Sequence, residues 1–490
     1  MKHFTLTGII FVLMAALFLA GAQQKEYVAS NPAELQTALS LAKGGDIVYV
    51  NGTWSATLQF GKLKYPDETP LVIDGQNKTK LLKGLSVMDC HNLTVQNMDV
   101  TGSNGSAGVD INDSYPDIGI KNVTFKGLNI HDVGPRGIFM GGHNIDGVCI
   151  IGCTITRIID GTHGIYLTGG HWKPEYPAIR NIRIENCDVS YIIAGRNDIQ
   201  LNGRFDGVVI LNNRVRHAQL NGFTLIGCQN VLVEENEVYG CNRGTGLVIY
   251  DYASHWAPYY NYFETPEDIA AFCATHHPCQ NIMARKNTFV VGPTRYSVDA
   301  YHSDDPTANH PAILINNAVH SGFMFYVAGE ATAIDRSKID YLEPPEPDWD
   351  AMKLGRVFGD DYIYKQFDFP PKNIVIKDNI LVGPSENLLD IYNAAEAVET
   401  ALVGNMTWVL DGTTPCIHGA TKLKYVAGNI VVDPEFKTAA QYDFVNLIKT
   451  PGYDWREHKT KFNGLSWPGK QAKKGRTYKV NSGIWTRKAD

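Results

Sequence analysis

Ile210-Leu211-Asn212-Asn213-Arg214-Val215 is one copy of a short pattern that returns about eleven times between Val95 and Val431. The pattern is an apolar residue, two variable positions, Cys or Asn, one further position and a second apolar residue. Other copies are Ile150-x-x-Cys153-x-Ile155, Ile184-x-x-Cys187-x-Val189, Val233-x-x-Asn236-x-Val238, Ala284-x-x-Asn287-x-Phe289, Leu314-x-x-Asn317-x-Val319, Ile376-x-x-Asn379-x-Leu381 and Val426-x-x-Asn429-x-Val431. A period of roughly 23 to 35 residues with two interruptions is typical of a solenoid, in which each coil buries its apolar face on the next.

The coils are predicted to be parallel β-strands. Each repeat holds short β-branched runs separated by Gly and Asn, without a sustained helical period. The Cys or Asn position is expected at a bend, because Asn tolerates a left-handed backbone and stacked amides can hydrogen-bond between coils. The residues predicted in this column are Met98, Leu128, Cys153, Cys187, Asn213, Asn236, Asn287, Asn317, Asn379, Asn405 and Asn429.

The N-terminus and the overall charge indicate an exported protein. Lys2 and His3 precede an apolar run from Ile9 to Leu19 and the small residues Ala20–Ala22, which is the layout of a secretory signal peptide. No later apolar run approaches the length of a membrane span, so we expect no membrane partner. The formal net charge of -7 argues against a nucleic-acid partner, which would require a basic face. The expected location is secreted or periplasmic.

A helix and a strand follow the signal peptide. Ser30-Asn31-Pro32 is predicted to cap a helix from about Ala33 to Ala42, with Leu35, Ala38 and Leu41 along one face. Gly44-Gly45-Asp46 ends it and Ile47-Val48-Tyr49-Val50 begins the first strand, an arrangement that suits an N-terminal cap of a solenoid.

The segment from Asn31-Pro32-Ala33-Glu34-Leu35-Gln36 to Val50-Asn51-Gly52-Thr53 resembles the opening of secreted right-handed parallel β-helix proteins of the pectate-lyase-like superfamily, including the alginate lyase and chondroitinase B group. The resemblance implies an all-β, right-handed parallel β-helix. We therefore expect a signal peptide at 1–22, a β-helix with its helical cap at 23–432, and a C-terminal cap or tail at 433–490. Two long loops, 251–280 and 328–371, are expected to interrupt the coils.

A second series of strands is predicted to present a functional face. The series is Gly137–Met140, Gly164–Leu167, Asp198–Leu201, Gly222–Leu225, Gly246–Ile249, Ser297–Ala300 and Leu388–Ile391. Strand alternation places Phe139, Tyr166, Gln200, Thr224, Val248, Asp299 and Asp390 on its outward side. The strand ends add a rim of Arg136, His163, Asn197, Asn221, Arg243, Tyr250, Asp251, Tyr301, His302, Asp304 and Asp305.

Carboxyl groups on this face point to glycosidic hydrolysis. That reaction needs one carboxyl group to protonate the leaving oxygen and a second as nucleophile or base, within about 5 to 10 Å. Neighbouring coils lie about 4.8 Å apart, so Asp299 with Asp251, or Asp299 with Asp304 or Asp305, fits that spacing. Aromatic rings stack on the apolar faces of sugars. The predicted substrate-binding residues are Arg136, Tyr166, Trp172, Asn197, Gln200, Asn221, Arg243, Tyr250 and Trp256.

The competing chemistry is β-elimination from a uronate polymer. Tyr301, His302 or His163 would take the proton, and Arg136, Arg196 or Arg243 would neutralise the carboxylate. Related lyases place a Lys on this face, and the strands named above contain none. We expect no cofactor, with Ca²⁺ at Asp299, Asp304 and Asp305 as the alternative. The sequence thus predicts a glycoside hydrolase acting on a polysaccharide or oligosaccharide, with a polysaccharide lyase second and a non-catalytic carbohydrate-binding β-helix third.

Overall fold

The computed structural model describes residues 24–66, 69–114, 116, 118–158, 161–169, 176–192, 197–218, 220–241, 245–251, 279–291, 312–317, 371–383, 387–391, 400–409, 415–418, 425–434, 478–481 and 484–487. The predicted signal peptide at 1–22 and most of the predicted loops and C-terminal tail lie outside these residues. Within them, no helix is long and apolar enough to cross a bilayer.

The helix Pro32–Leu41 (α1) covers the first coil. Asn31 accepts a hydrogen bond from the Glu34 backbone N–H at 3.0 Å, and the Glu34 carboxylate accepts one from the Ser30 N–H at 2.8 Å, which closes a reciprocal cap. Of the three residues predicted along one face, Leu35 and Ala38 are buried, whereas Leu41, the last residue of the helix, is 58% exposed.

The strands stack in three parallel series, and each coil contributes one strand to each series. The first sheet contains Leu58–Gly61, Leu85–Met88, Val109–Asn112, Arg136–Gly142, His163–Gly169, the start of Asn197–Leu211 and of Asn221–Glu234, Leu247–Asp251, Ile313–Asn317, Asn387–Ile391 and Cys416–His418. The second sheet contains Glu26–Ala29, Ile47–Val50, the start of Leu71–Leu81 and of His91–Val100, Ile120–Lys126, Ile145–Ile151, Ile179–Glu185, the ends of Asn197–Leu211 and Asn221–Glu234, Gln280–Arg285, Lys372–Lys377, Ala401–Val403 and Tyr425–Ala427.

The third sheet contains Gly52–Trp54, the ends of Leu71–Leu81 and His91–Val100, Asn129–His131, Thr154–Ile158, Asp188–Ile192, Arg214–Ala218, Glu237–Cys241, Thr288–Val290, Ile380–Gly383, Met406–Val409 and Ile430–Val431. Tyr478–Asn481 and Ile484–Arg487 form a separate antiparallel pair. Inward side chains of all three sheets meet in one continuous apolar core, because every added coil places the same face over the last.

One predicted strand of the first sheet is replaced by another. The position beside Leu247–Asp251 is filled by Ile313–Asn317, with Leu247 paired to Ile313 and Val248 to Leu314, and not by Ser297–Ala300. Asn317 therefore lies in the first sheet and not in the Cys or Asn column, where Asn287 contacts Asn379 directly. Both segments alternate apolar residues, so the pattern alone did not separate them.

The Asn column itself is a buried hydrogen-bond ladder. The side-chain oxygen of Asn236 accepts from the backbone N–H and the amide of Asn213 at 2.9 and 3.0 Å, and Asn287, Asn379, Asn405 and Asn429 continue the pattern. The left-handed residue is not the Asn but the one before it, as at Gly152, Asn212 and Gly404. The left-handed residue thus makes the bend, and the Asn after it hydrogen-bonds neighbouring coils to each other. The predicted left-handed position was off by one residue.

Candidate functional site

The predicted functional face is the outward side of the first sheet. Its outer row is defined by strand pairing and contains Gln59, Ser86, Asp110, Phe139, Tyr166, Gln200, Thr224, Val248, Leu314, Asp390 and His418. An edge row at the strand starts contains Arg136, His163, Asn197 and Asn221, each paired with the next. Six of the predicted site residues therefore lie in two adjacent lines.

Arg136 lies against two aromatic rings of the outer row. Its guanidinium carbon is 4.7 Å from the centroid of the Phe139 ring and 5.5 Å from that of Tyr166. Nη1 donates to the Ser106 carbonyl at 3.5 Å, while the buried Nε makes no hydrogen bond within the described residues. Both rings are half-buried and lie 5.8 Å apart. The result is a cation held over an aromatic surface, with hydrogen-bonding capacity left over.

His163 is held in place on every side that the structure describes. Its ring stacks on Tyr166 with centroids 4.4 Å apart, and it is 6% exposed. Nδ1 lies 2.8 Å from the Thr162 hydroxyl and Nε2 lies 2.8 Å from Oε1 of Gln200. Because both ring nitrogens are hydrogen-bonded, His163 is better suited to positioning its neighbours than to accepting a proton from a substrate.

Amide side chains extend the cluster around Gln200. The Asn197 amide also donates to Oε1 of Gln200, and the Asn221 amide donates to Oδ1 of Asn197 at 2.8 Å. The Asn202 amide donates to the Tyr166 hydroxyl at 3.2 Å, which fixes the ring from its other end. These residues lie in strands that the sequence analysis had already placed side by side in one sheet.

Asp110 is a site carboxylate that the sequence analysis missed. It is the outer-row neighbour of Phe139, it is buried, and it accepts hydrogen bonds from the Asn104 and Asn112 amides at 2.9 and 2.7 Å. Its strand, Val109–Asn112, follows Gly108 as the strand residues Ile138 and Ile165 follow Gly137 and Gly164, so the same pattern could have found it.

Asp198 is a second carboxyl group that the prediction overlooked. Both of its oxygens are buried without a hydrogen-bond partner in the described residues. Burial raises its pKa well above the usual range of an aspartate. It lies in the same strand as Asn197 and Gln200, directly beneath the edge row.

The far end of the first sheet carries another aromatic pair. The rings of His143 and Tyr176 stack with centroids 3.8 Å apart, and burial lowers the pKa of His143. Arg204 donates to the Tyr176 carbonyl at 2.9 Å. None of these three residues was predicted, because they lie in bends that the repeat pattern does not align.

Several predicted residues lie outside the described part of the chain. They are Asp299, Tyr301, His302, Asp304, Asp305, Trp172, Arg243, Arg196 and Trp256. For Tyr250 and Asp251 only the backbone is described, and it ends a first-sheet strand in which Asp251 pairs with Asn317. Within the described residues no cluster of three or more His, Cys, Asp or Glu side chains has metal-site geometry.

Comparison with known proteins addresses the architecture. A family model described as "Right handed beta helix region" matches residues 118–333. The fold is a right-handed parallel β-helix. This confirms the predicted fold class. None of the curated proteins matches the chain.

Solved structures similar to this β-helix carry several activities in their names. They include the mannuronan C-5 epimerase AlgE6 A-module of Azotobacter vinelandii, at 14% identity and a TM-score of 0.43, with 84% of this chain and 97% of that chain covered. The polygalacturonase of Erwinia carotovora is 11% identical with a TM-score of 0.36, covering 84% and 96%. A mannuronic acid specific polysaccharide family 6 lyase from human gut microbiota is 12% identical with a TM-score of 0.34, covering 87% and 100%. At these values no residue role passes from those proteins to this β-helix.

Proposed function

We propose that this protein is an exported carbohydrate-active enzyme that binds a polysaccharide or oligosaccharide on the first sheet and cleaves its glycosidic bonds. The observation that carries the proposal is the alignment of Arg136, Phe139, Tyr166 and Gln200 on one face. Aromatic rings next to a few fixed polar groups are what a sugar ring requires, since it has apolar C–H faces and an equator of hydroxyl groups.

The charge of this face favours an acidic sugar. Arg136 is the permanent cation that the outer and edge rows offer among the described residues, and its guanidinium lies over the Phe139 and Tyr166 rings. A guanidinium binds a carboxylate with two parallel hydrogen bonds, which neutral sugars cannot match. A polymer containing uronate residues is therefore the preferred substrate class.

Hydrolysis remains the preferred reaction, with the catalytic pair drawn from Asp251, Asp299, Asp304 and Asp305. Asp110 does not pair with Asp251, because five coils at about 4.8 Å separate their rows and give about 24 Å, beyond the range of a hydrolytic pair. We propose that the second carboxyl group comes from Asp299, Asp304 or Asp305.

The second candidate is β-elimination on the same polymer. The position of Arg136 favours it, because a cation at the substrate carboxylate is what stabilises the carbanion formed when the C5 proton is removed. Tyr301 or His302 would serve as the base, and His163 is a weaker choice because its Nε2 contacts Gln200.

Product analysis distinguishes these reactions. We would incubate the mature protein with alginate, polygalacturonate, chondroitin sulfate and a neutral glucan, and measure reducing ends and the ultraviolet absorbance of unsaturated sugars. Reducing ends without that absorbance indicate hydrolysis, and both signals together indicate elimination. Binding without products would assign a carbohydrate-binding β-helix, and neither binding nor products on any polymer would refute the proposal.

Two variants connect the reaction to the face. Arg136→Ala should weaken binding of the uronate polymers by about tenfold or more and leave any neutral ligand nearly unchanged. Asp299→Asn should abolish hydrolysis while binding persists, and full activity in that variant would remove Asp299 from the mechanism.

A further inference from the structure

We infer that Gln200 presents both N–H donors of its amide to the bound ligand, in an orientation set by a relay of hydrogen bonds that begins at a backbone amide two coils away. The identity of the ligand as a sugar rests on the proposed function. The orientation of the relay does not.

The relay begins at Thr245. Its backbone N–H donates to Oδ1 of Asn221 at 2.9 Å, and a peptide N–H has no alternative role. The orientation of the Asn221 amide is therefore fixed, and its Nδ2 faces Oδ1 of Asn197 at 2.8 Å. An amide assignment that is normally ambiguous is decided here by a donor that cannot be flipped.

The same logic fixes the next two groups. Because Oδ1 of Asn197 accepts from Asn221, the Nδ2 of Asn197 donates to Oε1 of Gln200. Oε1 is an acceptor only, so the Nε2 of His163, 2.8 Å away, carries a proton. When the imidazole is neutral, its Nδ1 accepts from the Thr162 hydroxyl at 2.8 Å. His163 is thereby held as the Nε2–H tautomer.

The relay leaves the amide nitrogen of Gln200 unused. Nε2 of Gln200 makes no hydrogen bond within the described residues, and it is not among the polar atoms sealed from solvent. Next to it on the outer row, the Thr224 hydroxyl is buried and has no partner in the described part of the chain. Two neighbouring groups with unmet hydrogen-bonding capacity mark the place of a ligand.

The chemistry of that ligand follows from the donors. Two amide N–H groups require an acceptor oxygen, such as a carboxylate, a hydroxyl or an acetyl carbonyl of a sugar. An ammonium group at this position would leave the donors unpaired and is excluded. Gln200 thus binds any of these sugar oxygens, and the preference for an anionic sugar comes from Arg136, two coils away.

A substitution at Asn221 tests the relay. In Asn221→Asp the new carboxylate still accepts from the Thr245 N–H, but it cannot donate to Asn197. The Asn197 amide must then turn to donate to that carboxylate, Gln200 must turn to donate to Asn197, and His163 must become the Nδ1–H tautomer. The nitrogen chemical shifts of His163 report the tautomer directly in protein labelled with ¹⁵N-histidine, with the signal assigned by its loss in His163→Gln.

The expected result is Nε2–H in the wild type and Nδ1–H in Asn221→Asp. Finding Nδ1–H in the wild type, or the same tautomer in both proteins, would overturn the relay. Should Asn221→Asp fail to fold, Gln200→Glu serves instead, because its carboxylate keeps His163 as Nε2–H while removing both outward donors.

Calorimetric titration with an oligouronate of three sugars tests the ligand. Binding should fall by about tenfold or more in Gln200→Glu and in Asn221→Asp, and remain within about twofold in the matched control Gln59→Glu. Gln59 is exposed on the same outer row, five coils away, so it receives the same charge outside the site. Unchanged binding in Gln200→Glu would refute the role of its amide. A wild type that binds no oligouronate would refute the sugar and the proposed function, whatever tautomer His163 shows.

Discussion

Replacing Asp198 with Ala should stabilise this protein, by an amount that grows with pH. Asp198 occupies a position where the neighbouring coils have Gly164 and Gly222, because the first sheet there meets the third sheet closely. A Cβ on Gly164 would lie 2.4 Å from a methyl carbon of Val189, and one on Gly222 would lie 2.7 Å from a methyl carbon of Val238. The Asp198 carboxyl group is therefore directed into an apolar region. It also lies near Cys241, whose pKa is raised by burial and further by this carboxylate.

The magnitude has two parts. A buried polar group without a partner costs about 1–3 kcal/mol, and Ala removes that cost at every pH. The second part is proton linkage. Since burial raises the folded-state pKa above the unfolded value, the folded state holds its proton longer, so stability is greatest below the unfolded pKa and falls as pH rises toward the folded pKa. The slope is about 1.4 kcal/mol per pH unit. Asp198→Ala should abolish it.

Urea unfolding followed by circular dichroism at pH 5, 6.5 and 8 measures this effect. As the pH rises from 5 to 8, the free energy of unfolding of the wild type should fall relative to that of Asp198→Ala. Asp198→Asn should show the same pH dependence as Asp198→Ala but a lower free energy of unfolding at each pH, because Asn keeps the buried polar group without the charge. A constant difference between wild type and Ala across this range would refute the linkage. A less stable Ala variant at pH 8 would show that the carboxylate has a partner.

Four further substitutions test the coils and one of their ion pairs. Asn287→Ala should lower the free energy of unfolding by about 3 kcal/mol or more, because the buried Asn236 N–H and Val233 carbonyl of the preceding coil both lose their partner; urea unfolding measures it. Gly164→Ala should cost about 1–3 kcal/mol of stability, because the new methyl group overpacks the core. Gly152 has open space around it but a φ of 63°, so Gly152→Ala should cost about 1–2 kcal/mol from backbone strain alone. Unchanged melting temperatures in these two variants would contradict both expectations. Arg157 beside Asp132 holds the pKa of that carboxyl group well below its usual range, so Asp132→Asn should cost less than about 1 kcal/mol at pH 7, and the difference should vanish as the pH falls through the folded-state pKa.

The coil architecture could be predicted because it depends on a local, repeated requirement. Every coil must place apolar residues inward, so Ile138, Ile165, Ile199 and Phe223 recur at matching positions and are buried. The error at 297–300 has the same origin. Val298 and Ala300 satisfy the inward pattern as Ile313 and Ile315 do, so alternation alone does not distinguish the two segments.

The site could be predicted only as far as strand register determines it. Register places Arg136, His163, Asn197 and Asn221 in line, and their sequence positions directly before Gly137, Gly164, Asp198 and Gly222 reveal this. The direction of each hydrogen bond depends on which end of an amide faces its neighbour. No residue pattern encodes that direction, because Asn supplies a donor and an acceptor of nearly the same shape.

A comparison of the core Asn ladder with the site relay shows why the first is structural and the second can bind a ligand. In the core ladder, the amide of Asn236 donates to the Ile210 carbonyl and to Asn287, so both of its N–H donors are used and a ligand has nothing to gain. In the site relay the donors run in the opposite direction, from each coil to the preceding one, and the last amide, Gln200, has no carbonyl behind it among the described residues. Stacking therefore fixes the direction of its N–H groups and leaves them unpaired at the surface. A ligand oxygen placed there meets donors that are already oriented, so binding costs little side-chain entropy.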